Sequence, residues 1–88
     1  MNTIIEMLNA VNFLTVNVNA DTIRVTVEDF AGFDDDFSEI IIDYDYDILT
    51  NIMEKLENMA ISCDRFAFYP EFIFNDFKVI FSWASYDI

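Results

Sequence analysis

The stretch "DYDYDILTNIME" places Asp43, Asp45, Asp47 and Glu54 where positions 1, 3, 5 and 12 of a calcium-binding helix–loop–helix supply their oxygen ligands. Binding of a hard cation is the first chemistry that this spacing offers. Such a loop needs glycine at position 6 for its sharp turn, and Ile48 stands there. Ile48, Leu49, Ile52 and Met53 also fall at helical spacing, so the segment reads as a charged strand edge followed by a capped helix. The "DDD" at 34 to 36 reads as a solvated loop, and neither a metal nor any other cofactor is expected.

Catalysis is disfavoured by the residues that are missing. The chain has no histidine, one cysteine and one glycine. It therefore lacks a histidine base, a nucleophile–histidine pair, a glycine-rich phosphate loop and a Cys/His zinc set. A carboxylate pair can do acid–base work, but seventeen acids supply many accidental pairs, and the expectation is a protein that is not an enzyme.

The elements that must position these acids follow from periodicity. Thr3 and Glu6 form a capping-box pattern, and Ile4, Met7, Leu8 and Val11 recur at helical spacing, predicting a helix over 3–12. "LTVNVNADTIRVTVEDF" alternates: Leu14, Val16 and Val18 share a face that Ile23, Val25 and Val27 continue beyond a turn at 19–21. A third strand is expected over 37–45, with Ile40, Ile42, Tyr44 and Tyr46 inward and Glu39, Asp43 and Asp45 outward. Asp45 or Asp47 then caps a second helix reaching Ala60, whose apolar stripe is Ile48, Leu49, Ile52, Met53, Leu56 and Met59.

Nine of the fifteen aromatics fall in "RFAFYPEFIFNDFKVIFSWASY". Two strands are expected there, over 64–74 and 77–85, joined at Asn75 and Asp76, with Pro70 at a bulge or an edge. Core packing is the default for most of these rings, with Trp83, Tyr69 or Tyr86 reaching an interface. Base stacking would need a basic surround that the chain lacks. The predicted architecture is α+β, one small domain over residues 1–88 in the order α-β-β-β-α-β-β, an antiparallel sheet with two helices packed on one face. A chain of this length buries only about 60 to 65 % of its unfolded surface, so that core must be efficient.

Charge is the strongest functional signal. Against the seventeen acids stand Arg24, Lys55, Arg65 and Lys78, a formal net charge of −13. Such a field attracts cationic partners and repels nucleic acid and anionic membranes, so direct binding to either is not expected. "MNTIIEMLNAVNFL" has no basic start and is interrupted by polar residues, which argues against a signal peptide or a membrane span. With the lone Cys63 this predicts a cytoplasmic protein, in the host cell if phage-encoded.

The placement of the acids is uneven. Nine of them, Glu28, Asp29, Asp34, Asp35, Asp36, Glu39, Asp43, Asp45 and Asp47, fall between residues 28 and 47 with no base among them. Solubility and halophilic adaptation spread charge over a surface, whereas concentration favours a binding face, which Glu54 and Glu57 would extend along the second helix. Alternate strand residues lie about 6.7 Å apart, and duplex DNA presents one charge per roughly 1.7 Å of axis. Carboxylates on a rigid sheet can thus take the positions of phosphates in an Arg/Lys-lined groove.

In size, charge and the acids of "EDFAGFDDDFSEIIIDYDYD", the chain resembles the small acidic DNA mimics of phages and mobile elements. These include anti-CRISPR and anti-restriction proteins. The resemblance implies an inhibitor that blocks the nucleic-acid-binding site of a Cas effector, a restriction enzyme or another nuclease. The alternative is an acidic immunity protein or antitoxin that neutralises a basic nuclease toxin. The exposed part of the aromatic segment leaves a homodimer open.

Overall fold

The first helix is shorter than its periodicity suggests, because asparagines interrupt it where Phe13 must turn into the core. The computed structural model describes residues 1–28, 30–33, 40–42 and 45–84, with 30–33 and 40–42 described as backbone. Helix α1 spans Asn2–Asn9 and buries Ile4 and Leu8, one turn apart. The expected capping box is not made: Met1 is the N-cap and no side chain caps the helix. The Ile5 amide closes the first turn on the Met1 carbonyl at 3.0 Å, and the Val11 amide tightens the last turn onto the Leu8 carbonyl at 3.2 Å.

Strands β1 (Leu14–Asn19) and β2 (Thr22–Val27) form the expected hairpin. Its register runs from Leu14 opposite Val27 to Asn19 opposite Thr22. Ala20 turns the chain at a φ of 54°, a left-handed conformation that a Cβ disfavours.

Residues 30–42 differ from expectation. Where a loop and one strand of the main sheet were expected, β3 (Phe30–Phe33) and β4 (Ile40–Ile42) pair antiparallel as a separate ribbon, with an irregularity between Phe30 and Gly32. Helix α2 then spans Tyr46–Met59.

The aromatic segment also divides differently. The strand expected over 64–74 is two short strands, β5 (Ser62–Asp64) and β6 (Glu71–Ile73), with a loop through residues 65–70. Pro70, which has no N–H to donate to a ladder, ends that loop. The turn at Asn75 and Asp76 falls where expected, closed by the Phe74 amide on the Phe77 carbonyl at 2.9 Å. The rings of Phe74 and Phe77 stack across it, 4.5 Å apart and 4° from parallel. Strand β7 (Lys78–Trp83) follows.

The five main strands are ordered β1-β2-β7-β6-β5. Three of the four pairings are antiparallel, as predicted for the whole sheet. The exception is central: β2 and β7 run parallel, from Thr22 beside Lys78 to Val27 beside Trp83. A parallel pair requires a long crossover, which the 50 residues between them, α2 included, provide. The Lys78 amide bonds the Asp21 carbonyl at 2.9 Å, tying the start of β7 to the hairpin turn.

That pairing builds the core. Ile23 lies beside Val79, Val25 beside Phe81, and Phe72 beside Val79 on the far side, and all five are fully buried. Against this one face pack Ile4 and Leu8 of α1 and Leu49, Ile52, Met53 and Leu56 of α2, so both helices cover the same side of the sheet. Ile48 and Met59, expected in the stripe, are exposed, and burial along β1 falls from Leu14 to the exposed Val18. Among the described residues, no helix is long and apolar enough to cross a membrane.

Phe72 and Phe66 offer a direct check, because they are chemically identical and lie at opposite extremes of exposure. Phe72→Ala should cost about 3–5 kcal/mol in urea denaturation, whereas Phe66→Ala should stay within about 0.5 kcal/mol of the parent. Equal costs would contradict this placement of the core.

Candidate interaction surface

No charged side chain is buried among the described residues, because a carboxylate stays on the surface unless a partner offsets its desolvation. Five of the eleven acids singled out from the sequence are described: Glu28, Asp45, Asp47, Glu54 and Glu57. Asp29, Asp34, Asp35, Asp36, Glu39 and Asp43 lie outside the described residues. The expected row of Glu39, Asp43 and Asp45 on one strand is corrected at its described member, since Asp45 is in no strand. It is the N-cap of α2, with φ −78° and ψ 103°, and its side chain accepts a hydrogen bond from the Ile48 amide at 3.1 Å. Tyr46, expected to face inward from that strand, instead begins the helix and is exposed.

Local physics accounts for these positions. Asp45 satisfies an orphan amide at the helix start, and both Asp45 and Asp47 sit where the helix dipole favours negative charge. Glu28 follows β2, where Thr15 Oγ1 donates to its carboxylate at 2.9 Å and its own amide bonds the Phe13 carbonyl at 2.7 Å. Farther along α2, Glu54 and Glu57 share Arg65, whose guanidinium nitrogens lie 3.6 and 3.8 Å from their carboxylate oxygens. Both glutamates are about half exposed, so these pairs are worth little more than about 1 kcal/mol in stability.

The two ends of the acid-rich segment come together. Val27, next to Glu28, pairs with Trp83, and Trp83 lines one cleft with Tyr46 and Leu49 of α2. The chain thus leaves the sheet at Glu28 and enters α2 at Asp45 on the same end of the domain. Asp47 and Glu54 are seven residues apart, two helical turns, and share one side of α2 about 10 Å apart.

The cleft is the feature that the sequence did not reveal. Phe72 and Phe81 meet the core expectation, edge to face at 5.8 Å, but Phe66, Phe68 and Tyr69 project from the 65–70 loop and are exposed. The loop is held from beneath: the Trp83 indole N–H donates to the Phe68 carbonyl at 2.7 Å, and the Phe81 amide to that of Pro70 at 2.9 Å. Phe68 and Tyr69 pack edge to face at 4.7 Å, and the Arg65 guanidinium lies 5.6 Å from the Phe66 ring centre. Between this loop and the first two turns of α2 lies an open cleft of about 190 Å³, with Leu49, Met53, Ala67, Pro70 and Trp83 among its walls and Arg65 its charged lining residue. Tyr46 and Phe66 also line it, and both are largely exposed. The signal available in the sequence was Pro70, which ends the strand alternation just after three aromatic residues.

No family model, curated protein or solved structure matches the chain. What the surface can do follows from its own groups: carboxylates and exposed ring faces both attract guanidinium and ammonium.

Cys63 is exposed, and its thiol lies 3.4 Å from Glu57 Oε2. Its pKa is raised, first by desolvation from its neighbours and then by the hydrogen bond to Glu57 and that residue's charge, while Arg65 pulls the other way. A raised pKa means less thiolate at neutral pH. Iodoacetamide should therefore modify Cys63 slowly for an exposed thiol, with a pH midpoint above the usual range, and Glu57→Gln should lower that midpoint. A midpoint that Glu57→Gln leaves in place would show that the contact does not govern the thiol. For the cap, Asp45→Ala should cost about 1 kcal/mol in chemical denaturation while Asp45→Asn keeps most of the stability.

Proposed function

We propose that this chain is a DNA-mimic inhibitor, an acidic protein that occupies the nucleic-acid-binding site of a defence nuclease such as a Cas effector or a restriction enzyme. The observation that carries this reading is the run of nine acids from Glu28 to Asp47 without one Lys or Arg, in a chain of net charge −13. The described acids support it in two ways. They lie on the surface, where their field reaches a partner, and Glu28 and Asp45 are held by hydrogen bonds, so little ordering is needed on binding. The carboxylates would meet the Arg and Lys that otherwise hold phosphate or read a PAM. This is a binding role without chemistry, carried out in the cytoplasm where such nucleases act.

A second reading is favoured by one observation. The exposed Phe66, Phe68 and Tyr69 resemble the aromatic anchors of an interface tailored to one protein, as an immunity protein or antitoxin for a basic nuclease toxin would have.

Mimicry predicts competition. A tagged chain incubated with host lysate should retain a DNA-binding nuclease at low salt and release it to excess duplex DNA or to raised salt, since screening over roughly 8 Å weakens the outer charges. Reversing Asp34, Asp35 and Asp36 to Lys, or Asp43 to Lys, should reduce inhibition of that nuclease at least tenfold. Recovery of one small basic protein that DNA does not displace would favour the second reading, and full inhibition by both variants would refute the acid-face mechanism.

A further inference from the structure

The cleft between α2 and the 65–70 loop lies beside the acids but is not itself acidic, and phosphate mimicry alone gives it no task. Its volume of about 190 Å³ exceeds the roughly 150 Å³ of an apolar cavity that takes up benzene, so one large apolar side chain fits. Phe66 is 91 % exposed on a loop that the Trp83–Phe68 bond holds in place. A large ring kept in water on a pre-ordered loop is the arrangement of a binding anchor, because its burial stabilises a complex without a further cost of ordering.

The surrounding charge selects the occupant. Tyr46 lies between Asp45 and Asp47 in the chain, and Glu54 follows Met53 of the cleft wall. Arg65, in the cleft wall on the loop side, is engaged by Glu54 and Glu57, and Lys55 is the one cation on α2. Four carboxylates against two cations leave the surround negative. A second copy would bring another net charge of −13 against it, which like-charge repulsion opposes.

Resting on the inhibitor reading above, the geometry points to a mixed recognition site. The cleft takes one large apolar side chain from a cationic segment of the partner, while Lys and Arg on either side of that residue meet Asp45, Asp47 and Glu54. The partner is thereby distinguished from other basic proteins by an apolar residue set among its phosphate-binding cations.

Trp83 is the only tryptophan and lines the cleft, so its fluorescence reports occupancy in the intact protein. The probes are peptides with two Lys and two Arg flanking a central Ala, Leu or Phe. The Phe-centred peptide should bind at least tenfold more tightly than the Ala-centred one, with both weakened by salt. Filling the cleft with Ala67→Phe, or from its other wall with Thr50→Phe, should bring the Phe-centred peptide down to the affinity of the Ala-centred one; urea denaturation checks that each variant folds. Equal, salt-sensitive affinities for all centres would overturn the anchor while leaving the acidic reading intact. No binding of any of the peptides, even at low salt, would overturn both. A preference for Phe that ignores salt would overturn the cationic partner, and a dimer in sedimentation that Ala67→Phe dissociates would make a second copy the occupant instead.

Discussion

The parallel pairing of β2 with β7 is the contact on which the rest of this molecule depends. It sets Ile23, Val25, Val79 and Phe81 side by side in the middle of the sheet and gives both helices one continuous apolar face to cover. Because the strands run in the same direction, Val27 and Trp83 finish together at one end. The acid-rich segment leaves from that end, α2 begins there, and the loop that carries the exposed rings is held there by Trp83 and Pro70. An antiparallel arrangement of the same two strands would have sent Trp83 and Glu28 to opposite ends.

The concentrated charge can persist because core and carboxylates occupy separate surfaces. Burying a carboxylate without a partner costs several kcal/mol, and none of the described acids bears that cost. Local devices lessen the repulsion that remains: the dipole of α2 favours Asp45 and Asp47, Thr15 holds Glu28, and Arg65 draws Glu54 and Glu57 together. Each of these contacts is modest in energy. Their larger effect is to hold carboxylates in fixed positions, as the proposed recognition of a basic surface would require.

The cleft adds shape to that charge. A carboxylate surface alone attracts any basic protein, so specificity needs a feature that only some cationic partners can satisfy. In the proposed role, Tyr46, Phe66 and the apolar walls beneath them would supply such a feature next to the acids. An acidic inhibitor and a partner-specific immunity protein share this combination of long-range attraction and short-range fit.

By itself the sequence determined several features that depend on near neighbours, though not the cap or the length of α1. Alternation from Leu14 to Val27 placed the hairpin and its turn, 3.6-residue spacing placed α2, Asn75 and Asp76 placed the last turn, and the acid count set the sign of the field. It left Asp45 and Asp47 both open as the cap of α2, and the described backbone chose Asp45. Tertiary structure alone decided what depends on remote partners: that β7 joins β2 in parallel, that β3 and β4 pair apart from the main sheet, and that Phe72 is buried while Phe66 is exposed. Phe66 and Phe72 carry the same side chain in the same aromatic run, so no local pattern separates them. The difference lies in whether the rest of the chain, folded from both ends, arrives to cover the ring.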